Sequence, residues 1–129
     1  MAIGISVSGL ANRILDHLRG GTAWTQPATL RVQLHTGDPG ASGTANVSAV
    51  TTRSQATYGP AAGGAIALTG TNPSWSMTAT EDIKYISVWD AASAGVFLWS
   101  AQLAVVKSVQ AGDSLTLTSC GLSLGPLAA

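Results

Sequence analysis

The stretch that most restricts the fold is residues 83–103, IKYISVWDAASAGVFLWSAQL, the densest apolar material in the chain. In an extended strand successive side chains point to opposite faces. Ile83, Tyr85, Ser87 and Trp89 then face one way, and Lys84, Ile86 and Val88 the other. After the small-residue stretch 90–95, which contains Gly95, Val96, Leu98 and Ser100 share one side, and Phe97, Trp99 and Ala101 the other. A short glycine-containing connection between two such runs is a hairpin signal. A helix over the same residues is disfavoured by their β-branched and aromatic side chains. Apolar groups on both faces place this hairpin at the centre of the fold, covered on each side by its own chain or by a neighbour.

One segment reads as a helix, residues 8–19. Val7, Leu10, Ala11, Ile14, Leu15 and Leu18 recur at helical spacing and form one stripe, with Arg13, Asp16, His17 and Arg19 largely outside it. Ser6 or Ser8 can cap its start, and Gly20-Gly21 supplies a left-handed stop. A helix this short is marginal alone in water, so its stripe must lie on the body or on a neighbour. Trp24 follows in a short link.

Residues 29–35 alternate as a half-buried strand, with Leu30, Val32 and Leu34 inward and Arg31, Gln33 and His35 outward. They run into a glycine-rich, polar stretch, 36–64, that is longer than an ordinary connection. It is either a loop that orders against a partner or a set of very short edge strands, with Asp38-Pro39 starting a turn. Further strands are expected at 65–69, 73–79, 103–109, 113–118 and 122–124, before Gly125-Pro126 and a tail. In 73–79, Trp75, Met77 and Ala79 face one way and Ser74, Ser76 and Thr78 the other. Turn signals at this spacing predict a mainly β fold: a small single-domain antiparallel sandwich or barrel with one N-terminal amphipathic helix. The 129 residues suit one domain, 1–129, with its β core at 65–124.

Charged residues make up 9% of the chain, well below the usual share of about 25%. So few charges suit a surface that is partly covered by partners. The formal net charge is zero and only six residues are Lys or Arg, which argues against nucleic acid and anionic membranes as partners. No apolar run approaches the roughly eighteen residues of a membrane span. Arg13, Asp16, His17 and Arg19 interrupt what a secretion signal would need, so synthesis in a reducing cytoplasm is expected. The single cysteine, Cys120, has no disulfide partner within the chain and reads as a buried small residue.

Catalytic patterns run short of residues. His35, Asp38 and a serine could be drawn as a triad, but no nucleophile-elbow motif is present. Glu81, Asp82 and Asp90 lack the spacing of a calcium loop. The stretch from His35 to Gly40 lacks the lysine and following helix of a phosphate loop. No cofactor or metal is expected, and an enzyme is disfavoured.

Leu34-His35-Thr36-Gly37-Asp38-Pro39-Gly40 after a strand, Thr52-Arg53, Val88-Trp89-Asp90-Ala91-Ala92 and Gln110-Ala111-Gly112-Asp113 together make a pattern. It resembles the small virion structural proteins of tailed bacteriophages of actinobacteria, described as capsid decoration, head fibre or minor tail proteins. The resemblance spans about residues 8–124. It implies a non-enzymatic protein that decorates or stabilises the capsid shell, with the major capsid protein or other virion proteins as partners. A homo-oligomer, a trimer by preference, is the matching assembly. The alternatives are a minor tail, baseplate or fibre protein, and a carbohydrate-binding module for host adsorption using Trp24 or Trp75. On either virion reading, interface contacts are expected from the helix (Leu10, Ile14, Leu18), from the loop and its start (His35, Asp38, Arg53), and from Trp24 and Trp75. The expected location is the virion.

Overall fold

The computed structural model of the chain describes residues 3–125 and 128. In chain order the elements are β1 (Gly4–Ile5), a wide π-helical turn (Val7–Ala11), α1 (Asn12–Leu18), β2 (Leu30–His35), β3 (Ser54–Ala56) and β4 (Ala65–Ile66). They continue with β5 (Ser74–Ser76), β6 (Glu81–Trp89), β7 (Phe97–Val109), β8 (Ser114–Thr116) and β9 (Leu122–Ser123). The fold is mainly β. One antiparallel sheet has the order β1-β7-β6-β2-β3, and two ribbons, β4-β9 and β5-β8, stand apart from it.

The expected hairpin is β6-β7, at the centre of the sheet and buried on both faces over residues 85–89 and 97–100. On one face Val32 pairs with Val88 and Val88 with Trp99, while Leu34 pairs with Ile86; all five are buried. On the other face the row is Gln33, Ser87 and Ser100, with His35 beside Tyr85 and Trp89 beside Phe97. The first face is covered by the ribbons: Trp75 and Leu115 close over Leu34 and Ile86, and Ile66 and Leu122 close over Trp99.

Four sequence expectations change here. First, 103–109 is not a separate strand. No glycine or proline interrupts 97–109, so β7 runs on, and its register slips instead. Between the Ile83–Lys107 and Tyr85–Gln102 pairs only Lys84 intervenes on β6, against residues 103–106 on β7. This bulge pushes Val105 and Val106 into solvent.

Second, β2 is not half-buried. Gln33 and His35, expected outward, are enclosed. Third, the cover over them is the 36–53 segment, which packs on its own body. Val50 and Ser48 are buried, Val47 bridges to His35, and the Ser48 hydroxyl donates to Glu81. Of the two options for 36–64, the short edge strands hold: β3 pairs with β2, and Tyr58 bridges to Leu68.

Fourth, the helical stripe divides. The π turn inserts a residue and rotates the turns after it by about 100° relative to a regular helix. Leu10 is buried and Ile14 half-buried, but Val7, Leu15 and Leu18 are 70%, 59% and 79% exposed. The ends form as expected. The Ser6 hydroxyl accepts from Gly9 N–H at 3.1 Å. At the other end Gly20 has φ +79°, with Gly21 N–H donating to Asp16 C=O and Gly20 N–H to His17 C=O. That is the paired hydrogen bonding of a left-handed helix stop. Pro126, in the expected tail, lies outside the described residues.

Candidate interaction surfaces

His35 is fully buried and both ring nitrogens are engaged. Nδ1 lies 2.8 Å from the Ala45 carbonyl, which can only accept, so Nδ1 carries the proton in the neutral ring. Nε2 lies 2.7 Å from Ser87 Oγ and is therefore the acceptor. The Trp89 indole N–H donates to the same Ser87 oxygen at 2.8 Å. The order is thus fixed: Trp89 N–H to Ser87, Ser87 O–H to His35, His35 N–H to Ala45. Each donor in the chain has one acceptor. Burial is the main cause of a lowered His35 pKa, and the Arg53 charge adds to it, against the raising effect of the Ala45 carbonyl.

Arg53 closes this cover from outside. Its guanidinium carbon lies 3.9 Å from the Trp89 ring centroid, and Nη1 donates to the Ala91 and Ala94 carbonyls at 3.0 and 2.7 Å. One side chain so ties the end of the 36–53 segment to the β6-β7 turn. A stacked, partly desolvated cation of this kind contributes about 1 kcal/mol.

The lowered His35 pKa has a definite consequence for stability. Above the ordinary value of 6.5 the imidazole is neutral in both states and its contribution is complete. As pH falls through that value the unfolded chain gains a proton that the folded chain refuses. Stability then decreases, by at most about 1.4 kcal/mol per pH unit, until the folded value is reached. Urea midpoints measured from about pH 7.5 to 5 should fall more steeply for the natural chain than for His35→Gln. Equal slopes would contradict this.

The Ser87–His35 contact resembles part of a catalytic dyad but has no route to a substrate. Both side chains have no exposed surface, and the Ser87 oxygen already accepts the indole N–H. Asp38 lies elsewhere in the turn, its Oδ1 accepting from Gly40 N–H at 2.8 Å. Among the described residues no group of three His, Cys, Asp or Glu side chains could hold a metal ion. No helix among them is long and apolar enough to cross a membrane. Cys120 is buried, its thiol pushed up by burial, and its sulfur accepts from the Tyr58 hydroxyl.

Of the eight residues expected at an interface, Leu10, His35 and Trp75 lie inside the chain's own core. Trp75 is 4% exposed and donates its indole N–H to the Thr52 carbonyl, so it has no free ring face for a sugar. Asp38 and Arg53 are half-buried in the cover segment. The remaining three lie on α1 or in the link hydrogen-bonded to it. Ile14 and Trp24 line an apolar groove of about 310 Å³ with Leu30, Ile66, Trp99 and Leu122. Leu18 stands exposed on α1 together with Leu15. Reading Val7, Leu15 and Leu18 as a single stripe with Leu10 conceals this split.

The body is mainly β, with the His35–Ser87–Trp89 hydrogen bonds closed inside it and large apolar side chains exposed both on the helical segment and at the β7 bulge. Residues 6–125 match the family described as Podophage GP4 fiber I protein gp80, and the chain belongs to that family of non-enzymatic phage structural proteins. No curated protein matches the chain.

Proposed function

We propose that this protein is a subunit of a phage fibre, joined to other virion components through the exposed flank of α1 and the apolar groove beside it. The observation that carries the reading is the family match, which spans nearly the whole chain and bears a fibre description. It speaks for the fibre reading over capping of the capsid shell. The surface supports it physically. Leu15 and Leu18, one turn apart on α1, and Val7 are large exposed apolar groups, and adjacent exposed apolar side chains of this sort mark interaction sites. Copies of the chain associate in a closed ring, a trimer by preference, because closed symmetry leaves no apolar surface unsatisfied.

The test is the double substitution Leu15→Asp and Leu18→Asp. Both side chains are solvated in the subunit, so the variant chain should stay folded, losing only the stability that association adds. Mass measured in solution should drop to that of the single chain, and the variant should fail to enter particles. A variant that keeps the natural mass and enters particles overturns the proposal. Leu10→Asp is the contrast: its side chain is 4% exposed, and it should unfold the subunit.

A further inference from the structure

Within the 36–53 cover, residues 36–46 form a closed loop whose ends meet beside His35. Thr36 N–H donates to the Asn46 carbonyl at 2.8 Å, and Asn46 Nδ2 donates to the Asp38 carbonyl at 2.9 Å. Val47, next in the chain, bridges to His35. Within the loop only Pro39 and Gly43 are buried. Gly43 rests on the Phe97 ring, where a Cβ would come within 2.6 Å of it, and Ala41, Ser42 and Thr44 flank Trp89 and Phe97. So small an apolar contact leaves the loop at the low end of local stability, where segments open without the rest of the fold. Beyond it the cover is held separately, by the buried Val50 and by the bonds of Arg53.

We propose that this loop is a pH-operated flap, closed over a neutral His35 and lifted when the ring takes a second proton, so that Trp89 and Phe97 are uncovered. The closed form has no place for that proton. Nδ1 already carries one for the Ala45 carbonyl, so the second must sit on Nε2, facing Ser87 Oγ at 2.7 Å. Ser87 would then have to accept from both Nε2 and the Trp89 indole, and its own hydrogen would lose its acceptor inside the core. The sheet closes the opposite side of the ring, so water reaches the charge by way of the flap. Burial and the Arg53 charge both act against a charged ring, and the Ala45 carbonyl offsets them in part. The other ionisable groups around it have their own places. Tyr85 pairs with His35 on β6, and Glu81 accepts from the Ser48 hydroxyl and Ala49 N–H. Asp38 accepts from Gly40 N–H, and Asp90, near Arg53, accepts from Val96 N–H. Arg13 of α1 lines the cleft outside Trp89 and Phe97. The urea slope described above reports proton uptake on complete unfolding, whereas the flap takes the proton in a chain that is otherwise folded. The α1 flank is not involved, so the test does not depend on the fibre reading.

Hydrogen exchange measured by NMR on the full ¹⁵N-labelled chain tests this, each rate being referred to the unfolded chain at the same pH. The reporters are the Thr36 amide, which closes the loop, and the Trp89 indole N–H, which is buried beneath it. Below the ordinary histidine value of 6.5 their protection should fall by up to about tenfold per pH unit. It should be at least about tenfold lower than that of the Ile86 and Val88 amides on β6, and insensitive to low urea, as a local opening is. His35→Gln should abolish the pH dependence, whatever level of protection it leaves. The proposal is overturned if the reporters' protection does not change with pH, or falls equally in His35→Gln. It is also overturned if they match the β6 amides in protection and in urea sensitivity, because the opening is then complete unfolding.

Discussion

Replacing Ser87 with alanine should cost the fold about 2–5 kcal/mol, although the change removes a single oxygen from a fully buried site. The size comes from the groups left behind. Ser87 Oγ is the acceptor of the Trp89 indole N–H and the donor to His35 Nε2, at 2.8 and 2.7 Å. Alanine leaves one donor and one acceptor buried without partners, and each such group costs about 1–3 kcal/mol. Urea denaturation should show a lower midpoint at unchanged slope. A cycle with Trp89→Phe, which removes the stranded donor, should recover part of the loss when added to Ser87→Ala. A loss below about 1 kcal/mol would mean that the ordered hydrogen-bond chain does not hold the cover segment as described.

Gly9→Ala should also destabilise, by at least about 2 kcal/mol, against the direction of helix propensity. Alanine in a helical turn is ordinarily better than glycine by about 1 kcal/mol. Here a Cβ on Gly9 would overlap the Phe97 carbonyl oxygen and approach Ser6 Oγ to 2.9 Å. The first obstacle is backbone in the central hairpin and cannot turn aside. The π turn would have to lift, drawing the buried Leu10 from the core and loosening the Ser6 cap. Thermal or urea unfolding monitored by circular dichroism reads the effect. An unchanged or raised stability would show that the turn does not rest on β7 as closely as the structure has it.

How much of the fold can be read from the sequence depends on how local each signal is. The central hairpin is legible because Ile86, Val88, Trp89, Phe97 and Trp99 are apolar on both faces of their strands. The shared face of Trp75, in β5, and Met77 just after it is legible from simple alternation, though not that it faces the core, and the helix ends are legible from Ser6 and the paired glycines 20 and 21. His35 is misread because its burial depends on Ala45 and Ser87, ten and fifty-two residues away. Alternation assigns a histidine next to Leu34 to the polar face, and nothing nearby says that a second segment covers that face. One clue is present: Ser87 occupies an inward position among Tyr85 and Trp89, where a lone hydroxyl needs a buried partner.

The interface residues show the same limit. A regular 3.6-residue period places Leu15 and Leu18 with Leu10, and only Gly9 in mid-pattern hints at a close backbone approach that breaks the period. Once the wide turn is in place, the apolar residues separate into Leu10 and Ile14 against the body and Val7, Leu15 and Leu18 in solvent. Low charge content points to covered surface, but it is a property of the whole chain and cannot say where.

The most direct test of the fibre assignment is an image of the purified particle at a resolution that traces this chain. The chain should lie in a fibre, with Leu15 and Leu18 covered by another subunit and the hydrogen-bonded row from Trp89 to Ala45 intact within each copy. Finding it in the shell, or finding those two leucines facing solvent in the assembled particle, would contradict the assignment.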